Sequence, residues 1–287
     1  MGAEYTDHRL AIVGAGVMGT NIAALALGHG VPVVLVDVDE AVLSQARGIV
    51  RQKLRHAQLM GALPGRPYGQ LVTSVSLDDV ADATAVIEAV TELPETKAKV
   101  LAGISAAVRP GTLLISNTSC IPIDELACSV PRPDELAGVH FMNPSYLIKP
   151  VEVIRGPRTG ERTMEAVAEL LECLGRQWLV VRDRAGFVIN RLLHPLINTA
   201  AMVVEEGTAT ADTVDGLLEG CLGHSTGPLR TADLIGLDNL VDSLNVLYEQ
   251  TGEASCLPCG LLLEKVRAGD LGRKSGRGFY DYGKVAS

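Results

Sequence analysis

Short, unbroken apolar runs alternate with longer mixed stretches through the first two thirds of the chain, and then they stop. RLAIVG, VPVVLVD, TAVIEAV and GTLLISN are rich in β-branched residues with no polar alternation, which predicts strands of a parallel sheet covered on both faces. Between the first two lies VMGTNIAALALGHG, whose small and apolar residues predict a helix packed closely on the sheet and ended by Gly30. LAGVHF and KPVEVI predict two more strands joined by a turn around NPSY, and QWLVVRD predicts a last one. After Asp183 the spacing becomes helical, in GFVINRLLHPLINTAAMVVEEG and NLVDSLNVLYEQTG. The pattern predicts an α/β chain: a doubly wound, mostly parallel sheet over residues 1–184, then a smaller all-α domain over residues 185–287.

Composition narrows the classes of function. At 287 residues, 47% hydrophobic and 21% charged, the chain can build its cores without disulfides or metal, and it is not a disordered composition. A net charge of -9 argues against a nucleic-acid partner, whose phosphates need a basic surface. No apolar run reaches the roughly eighteen residues of a membrane span, and the first residues lack a signal-peptide layout, so a cytoplasmic location is expected. MGAEYT meets the formal pattern for N-terminal lipidation, but Arg9 to Val13 soon enters an apparent buried strand, which argues against it. Of the six scattered cysteines only Cys256 and Cys259, in CLPC, have metal or redox spacing. They have no second pair of ligands and no thioredoxin-like setting, so no metal site is expected.

The first strand runs straight into GAGVMG, a G-x-G-x-x-G pattern at a strand-to-helix turn, as in Rossmann-like folds. Gly14 permits the tight turn, Gly16 lets a pyrophosphate approach the backbone, and Gly19 allows the helix to close on the strand. Asp37 ends the second strand, eighteen residues beyond Gly19, where a carboxylate accepts hydrogen bonds from ribose hydroxyls and repels a 2'-phosphate. The order strand, glycines, helix, strand, acid predicts NAD as cofactor rather than NADP.

Hydride transfer from an alcohol also needs a base for the hydroxyl proton. His140 and Glu152, twelve positions apart on successive strands, can meet as a histidine and the carboxylate that orients it. Ser119, just after a strand, and Asn190, in an apolar helix, are further polar candidates at places suited to substrate. The alternatives for the pair are a hydrogen-bonded core histidine and a solvated strand glutamate.

GAGVMG, SNTS, HFMNP, VEVIRGP, GFVINR, GPLRTADLIGLD and GRKSGRGFYDY together resemble the ordered motifs of the 3-hydroxyacyl-CoA dehydrogenase family over nearly the whole chain. The resemblance implies His140 as base, Glu152 as its orienting partner, and Ser119 and Asn190 as hydrogen-bonding groups for the reacting oxygen and substrate. It implies cofactor contacts from Gly14, Gly16, Val17, Met18, Gly19, Asp37 and Asn117, with Glu88, Lys97 and Asn143 near the nicotinamide half, and a homodimer formed through the second domain. GFVINR carries asparagine and arginine where the free β-hydroxy acid dehydrogenases use a catalytic lysine, and the four polar candidates together argue against a non-catalytic NAD-binding protein.

The chain departs from the family pattern at Met142, at Ser145, Tyr146 and Leu147, at Pro150, at Leu93 and at Ala185. The stretch after residue 50 carries Arg51, Lys53, Arg55 and Arg66, where family members that act on CoA esters tend to be lysine-rich. These departures resemble a subgroup of actinomycete polyketide pathways that oxidises glyceryl on an acyl carrier protein toward hydroxymalonyl or methoxymalonyl units. The expected substrate is therefore glyceryl-acyl-carrier protein. 3-Hydroxybutyryl-CoA of general metabolism is the alternative.

Overall fold

A computed structural model describes residues 8–283; the lipidation pattern at the N-terminus lies outside them. The chain parts into two compact units between Arg184 and Ala185.

In the first unit the predicted apolar runs form Leu10–Val13 (β1), Val33–Val36 (β2), Ala85–Glu88 (β4) and Leu113–Ser116 (β5), with Leu71–Ser74 (β3) in between. Leu136–His140 (β6), Pro150–Arg155 (β7) and Gln177–Arg182 (β8) complete one eight-stranded sheet in the order β3-β2-β1-β4-β5-β6-β7-β8. The first six strands are parallel; β7 lies antiparallel to β6, and β8 runs parallel to β7. Strand order reverses between β1 and β4, so the crevice beyond their C-terminal ends is where such a sheet takes ligands.

Helices Val17–Gly28 (α1), Glu40–Leu59 (α2) and Glu161–Cys173 (α5) join one face of the sheet in a continuous core, with Leu10, Ile12, Leu35, Ile87 and Ile115 pointing into it. The alternate residues Ala11, Val86 and Leu114 are buried as well, on the face where Pro94–Ala107 (α3) and Ile123–Ala127 (α4) pack. α1 runs to Gly28 with His29 as its C-cap, and Gly30, with φ 80°, ends the helix as expected. β3 escaped the sequence pattern because it is short, only partly buried and lies at the sheet edge. β8 closes the other edge with Leu179 and Val180 more than half exposed.

The second unit holds Ile189–Glu205 (α6), Ala211–Leu222 (α7), Pro228–Ile235 (α8), Leu237–Thr251 (α9) and Gly260–Arg267 (α10) around Ile197, Leu229, Leu240, Leu244 and Leu262. GFV does not join α6 as expected: Gly186 and Phe187 have φ of 67° and 49°, outside the helical region, so the helix starts later. Buried Asp233 accepts hydrogen bonds from the Phe279 and Tyr280 N–H groups and the Tyr282 hydroxyl, pinning the chain's last described segment to α8.

The glycines of the first turn differ in what surrounds them. A Cβ on Gly19 would run into the carbonyl oxygen of Gly14, whereas one on Gly16 meets nothing within 4 Å. Gly19→Ala should therefore cost about 2 kcal/mol or more, and Gly16→Ala within about 0.5 kcal/mol. Urea midpoints of the two variants check this; equal losses would contradict it.

Candidate active site

The C-terminal ends of the parallel strands gather most of the sequence candidates at one edge of the first unit. Gly14 to Gly19 follow β1, Asp37 follows β2, Glu88 ends β4, Asn117 and Ser119 follow β5, and His140 ends β6. Open space over Gly16 and a first turn of α1 that no side chain caps suit a pyrophosphate, and they place Val17 and Met18 where their N–H groups can face it. The Asp37 carboxylate accepts from the Ala15 N–H at 2.8 Å and the Asp39 N–H at 3.1 Å. It thus braces the glycine turn while its remaining lone pairs stay open to ribose hydroxyls. These residues fit NAD.

Antiparallel pairing sets His140 opposite Glu152, and the Nδ1 to Oε2 distance is 2.8 Å, with both residues 6% exposed. An ionised carboxylate only accepts, so Nδ1 carries a proton, and in the neutral ring Nε2 is then the basic nitrogen. That is the tautomer a general base needs.

Two strands away, at the end of β4, is a largely buried cluster of charges. Lys97 Nζ lies 2.8 Å from Glu88 Oε1 and 3.1 Å from Glu92 Oε2. Burial pulls the Lys97 ammonium down, but the carboxylates of Glu92 and Glu88 outweigh it and its pKa is raised. Burial pushes Glu92 up, yet Lys97 and the donors Thr118 and Ser119 hold it below the usual carboxylate range. Glu88 is fully buried, with one oxygen taken by Lys97 and the Val90 N–H and the other by Ser116. It therefore holds Lys97 and the strand ends rather than presenting an oxygen to a cofactor. Glu92 is the carboxylate that reaches the surface, and it binds the N–H groups of Ser119 and Cys120. Its spacing of five residues before Lys97 was the available signal.

Asn117 Oδ1 accepts from the Phe141 N–H, tying β5 to the residue after His140, and Asn143 Oδ1 accepts from Asn21 Nδ2 of α1. Asn21, a buried amide in an apolar helix, was not among the sequence candidates. Asn190 lies in the first turn of α6, in the second unit. Of the bases after residue 50, Lys53 turns inward: its Nζ donates to the Val17 carbonyl and the Thr20 hydroxyl, and burial pushes its pKa down to about 8. It is thereby removed from the surface set that Arg51, Arg55 and Arg66 belong to. Tyr146, one of the departures from the family pattern, is buried against the core and meets His56 Nδ1 at 3.1 Å through its hydroxyl. Among the described residues no group of histidine, cysteine and carboxylate side chains could hold a metal, and no helix is long and apolar enough to cross a membrane.

Comparison with known proteins agrees with this arrangement. Residues 9–184 match the family description "3-hydroxyacyl-CoA dehydrogenase, NAD binding domain", and residues 186–282 match its C-terminal domain. A probable 3-hydroxybutyryl-CoA dehydrogenase of Deinococcus radiodurans is 39% identical over 96% of this chain and all of the relative; the 3-hydroxybutyryl-CoA dehydrogenase of Bradyrhizobium diazoefficiens is 37% identical over 96% and 95%. The crystal structure of (S)-3-hydroxybutyryl-CoA dehydrogenase PaaH1 from Ralstonia eutropha superposes with a TM-score of 0.87 at 37% identity, covering 96% of this chain and 99% of that one. These relatives are named for CoA esters, which favours the CoA expectation over the carrier-protein one. With both domains matched in order, the chain belongs to the 3-hydroxyacyl-CoA dehydrogenase family, with its NAD-binding domain in the first unit.

Proposed function

We propose that this protein is an NAD-dependent dehydrogenase of short 3-hydroxyacyl-CoA esters, with 3-hydroxybutyryl-CoA as the first substrate to test. The observation that carries the proposal is the His140–Glu152 pair at 2.8 Å on the ligand edge of the sheet. His140 Nε2 takes the proton of the substrate's 3-hydroxyl as the C–H bond at the same carbon gives up its hydride, leaving a ketone. Bound NAD supplies the hydride acceptor. Glu152, held across the strand pair, stabilises the imidazolium that results and keeps the ring from turning. In this reading Ser119 donates to the reacting oxygen and Glu92, the carboxylate that reaches the surface, meets the nicotinamide half of the cofactor, with buried Lys97 holding Glu92 in position.

A second reading, oxidation of glyceryl on an acyl carrier protein, has one feature of its own in support. Residues 41–77 carry Arg47, Arg51, Lys53, Arg55 and Arg66 and no aspartate or glutamate, in a chain of net charge -9. Arg47, Arg51 and Arg55 are exposed at every fourth position of α2, and Leu59 beyond them is 86% exposed. Three arginines spread along about 12 Å of helix suit a row of carboxylates on a protein better than one phosphate. A homodimer is proposed from the second unit, where Leu192 and Leu222 are each 68% exposed.

Purified protein with acetoacetyl-CoA and NADH, and separately with glyceryl-carrier protein and NAD, separates the two readings. Turnover of the CoA ester alone is the expected result; turnover of the carrier-bound substrate alone would refute the main proposal. On the substrate that is used, His140→Gln should lower kcat by about 10²- to 10⁴-fold while NADH affinity stays within a few-fold. A near-normal rate would take His140 out of the mechanism. Sedimentation should give twice the 30.3 kDa chain mass, and a 30 kDa particle at micromolar concentration would dismiss the dimer.

A further inference from the structure

The loop that carries Ser119 has an unusual supply of hydrogen bonds. From Ser119 to Asp124 each backbone N–H goes to a side chain. The Ser119 and Cys120 N–H groups donate to Glu92 Oε1 at 2.6 and 3.1 Å, and the Ile121 N–H donates to the Thr118 hydroxyl at 3.0 Å. Pro122 has none to give. The Ile123 N–H donates to Asp183 Oδ1 at 2.8 Å and the Asp124 N–H to Asp183 Oδ2 at 2.7 Å. Thr118 in turn donates to Glu92 at 2.6 Å. The loop's donors are thus held by two carboxylates, Glu92 at its start and Asp183 at its end, where a strand would have used a neighbouring backbone. Burial pushes the Asp183 carboxyl up, and the two N–H donors pull it back, so this contact holds a partly desolvated charge in place.

We propose that Asp183 is a positioning residue for the reaction, fixing the far end of the loop so that the Ser119 hydroxyl stands within hydrogen-bond reach of the reacting oxygen. Asp183 is the second-last residue of the first unit, sixty positions from Ile123 in sequence, and its two carboxylate oxygens accept from the Ile123 and Asp124 N–H groups at the start of α4. Its effect therefore runs through the backbone of α4 and the loop. A loop released at one end still carries the serine, but over a wider range of positions, and misplacement of about 1 Å can cost on the order of 10²-fold in rate. The inference rests on the proposed role of Ser119 in substrate binding.

A double-mutant cycle tests it on whichever of the two thioesters the wild-type enzyme turns over. Asp183→Asn should lower kcat about ten- to a hundredfold, with KM for the nicotinamide cofactor within about twofold. In a Ser119→Ala background the same change should lower kcat less than about twofold, because there is no hydroxyl left to misplace. Effects that multiply in full would overturn the inference and leave the proposed function standing. A Ser119→Ala enzyme with wild-type kcat would overturn the role of Ser119 and this inference together, as would failure of the wild type on both thioesters. If Asp183→Asn does not fold, Asp183→Ser, which keeps one acceptor, is taken through the same cycle with the same expected coupling.

Discussion

The antiparallel pairing of β6 with β7 is the constraint on which the chemistry depends. In a wholly parallel sheet the strand after β6 would enter from the opposite edge, and its first residues would lie far from the end of β6. Reversal instead starts β7 beside the end of β6, so that His140 faces Glu152 in register and the two side chains share a face. A one-residue slip in that register would send one of the two to the other side of the sheet. The His140 tautomer is thus decided by the backbone pairing of the two strands, a ladder that ends at His140 and Glu152 themselves.

The same edge carries charge that would be costly if any member were missing. Lys97 and Glu88 are almost wholly buried, and either alone would face an uncompensated desolvation penalty of several kcal/mol. Together with Glu92, Ser116, Thr118 and the Ser119 N–H they form a network in which almost every polar atom has a partner. Its consequence is geometric: the ends of β4 and β5, the first turns of α3 and the serine-bearing loop are tied to one another. Asp183, just beyond the last strand, closes the loop's other end. A site for hydride transfer needs this rigidity, because the hydroxyl proton and the hydride must leave neighbouring atoms toward two different acceptors.

Family membership and substrate are separate questions in this chain. The motifs assigned to the cofactor and the base are retained, while four of the departures, Met142, Ser145, Tyr146 and Leu147, fall between His140 and β7; Pro150 opens β7, and Leu93 and Ala185 lie elsewhere. Tyr146 turns into the core and meets His56 of α2, so part of that change repacks the interior instead of lining a pocket. The arginines of α2, in a stretch where members acting on CoA esters tend to be lysine-rich, are the other difference, and Arg47, Arg51 and Arg55 are exposed.

Apolar runs, glycine spacing and the acid after β2 determined the sheet, its first turn and the nucleotide type, because each is a local requirement: a strand buried on both faces tolerates no polar alternation, and a turn against a pyrophosphate tolerates little but glycine. His140 and Glu152 were legible as a pair because they lie on successive strands at either side of one connection, residues 141–149. Tertiary structure alone decided which of two nearby glutamates is buried. Glu88 and Glu92 lie four positions apart, and only the packing of Lys97 and Ser116 against the first consumes its oxygens. It alone turned Lys53 inward, placed β3 at an edge too exposed to show an apolar run, and brought Asp183 to residues sixty positions away. Contacts of that length leave no periodicity in a sequence, since they depend on where separate elements come to rest against one another.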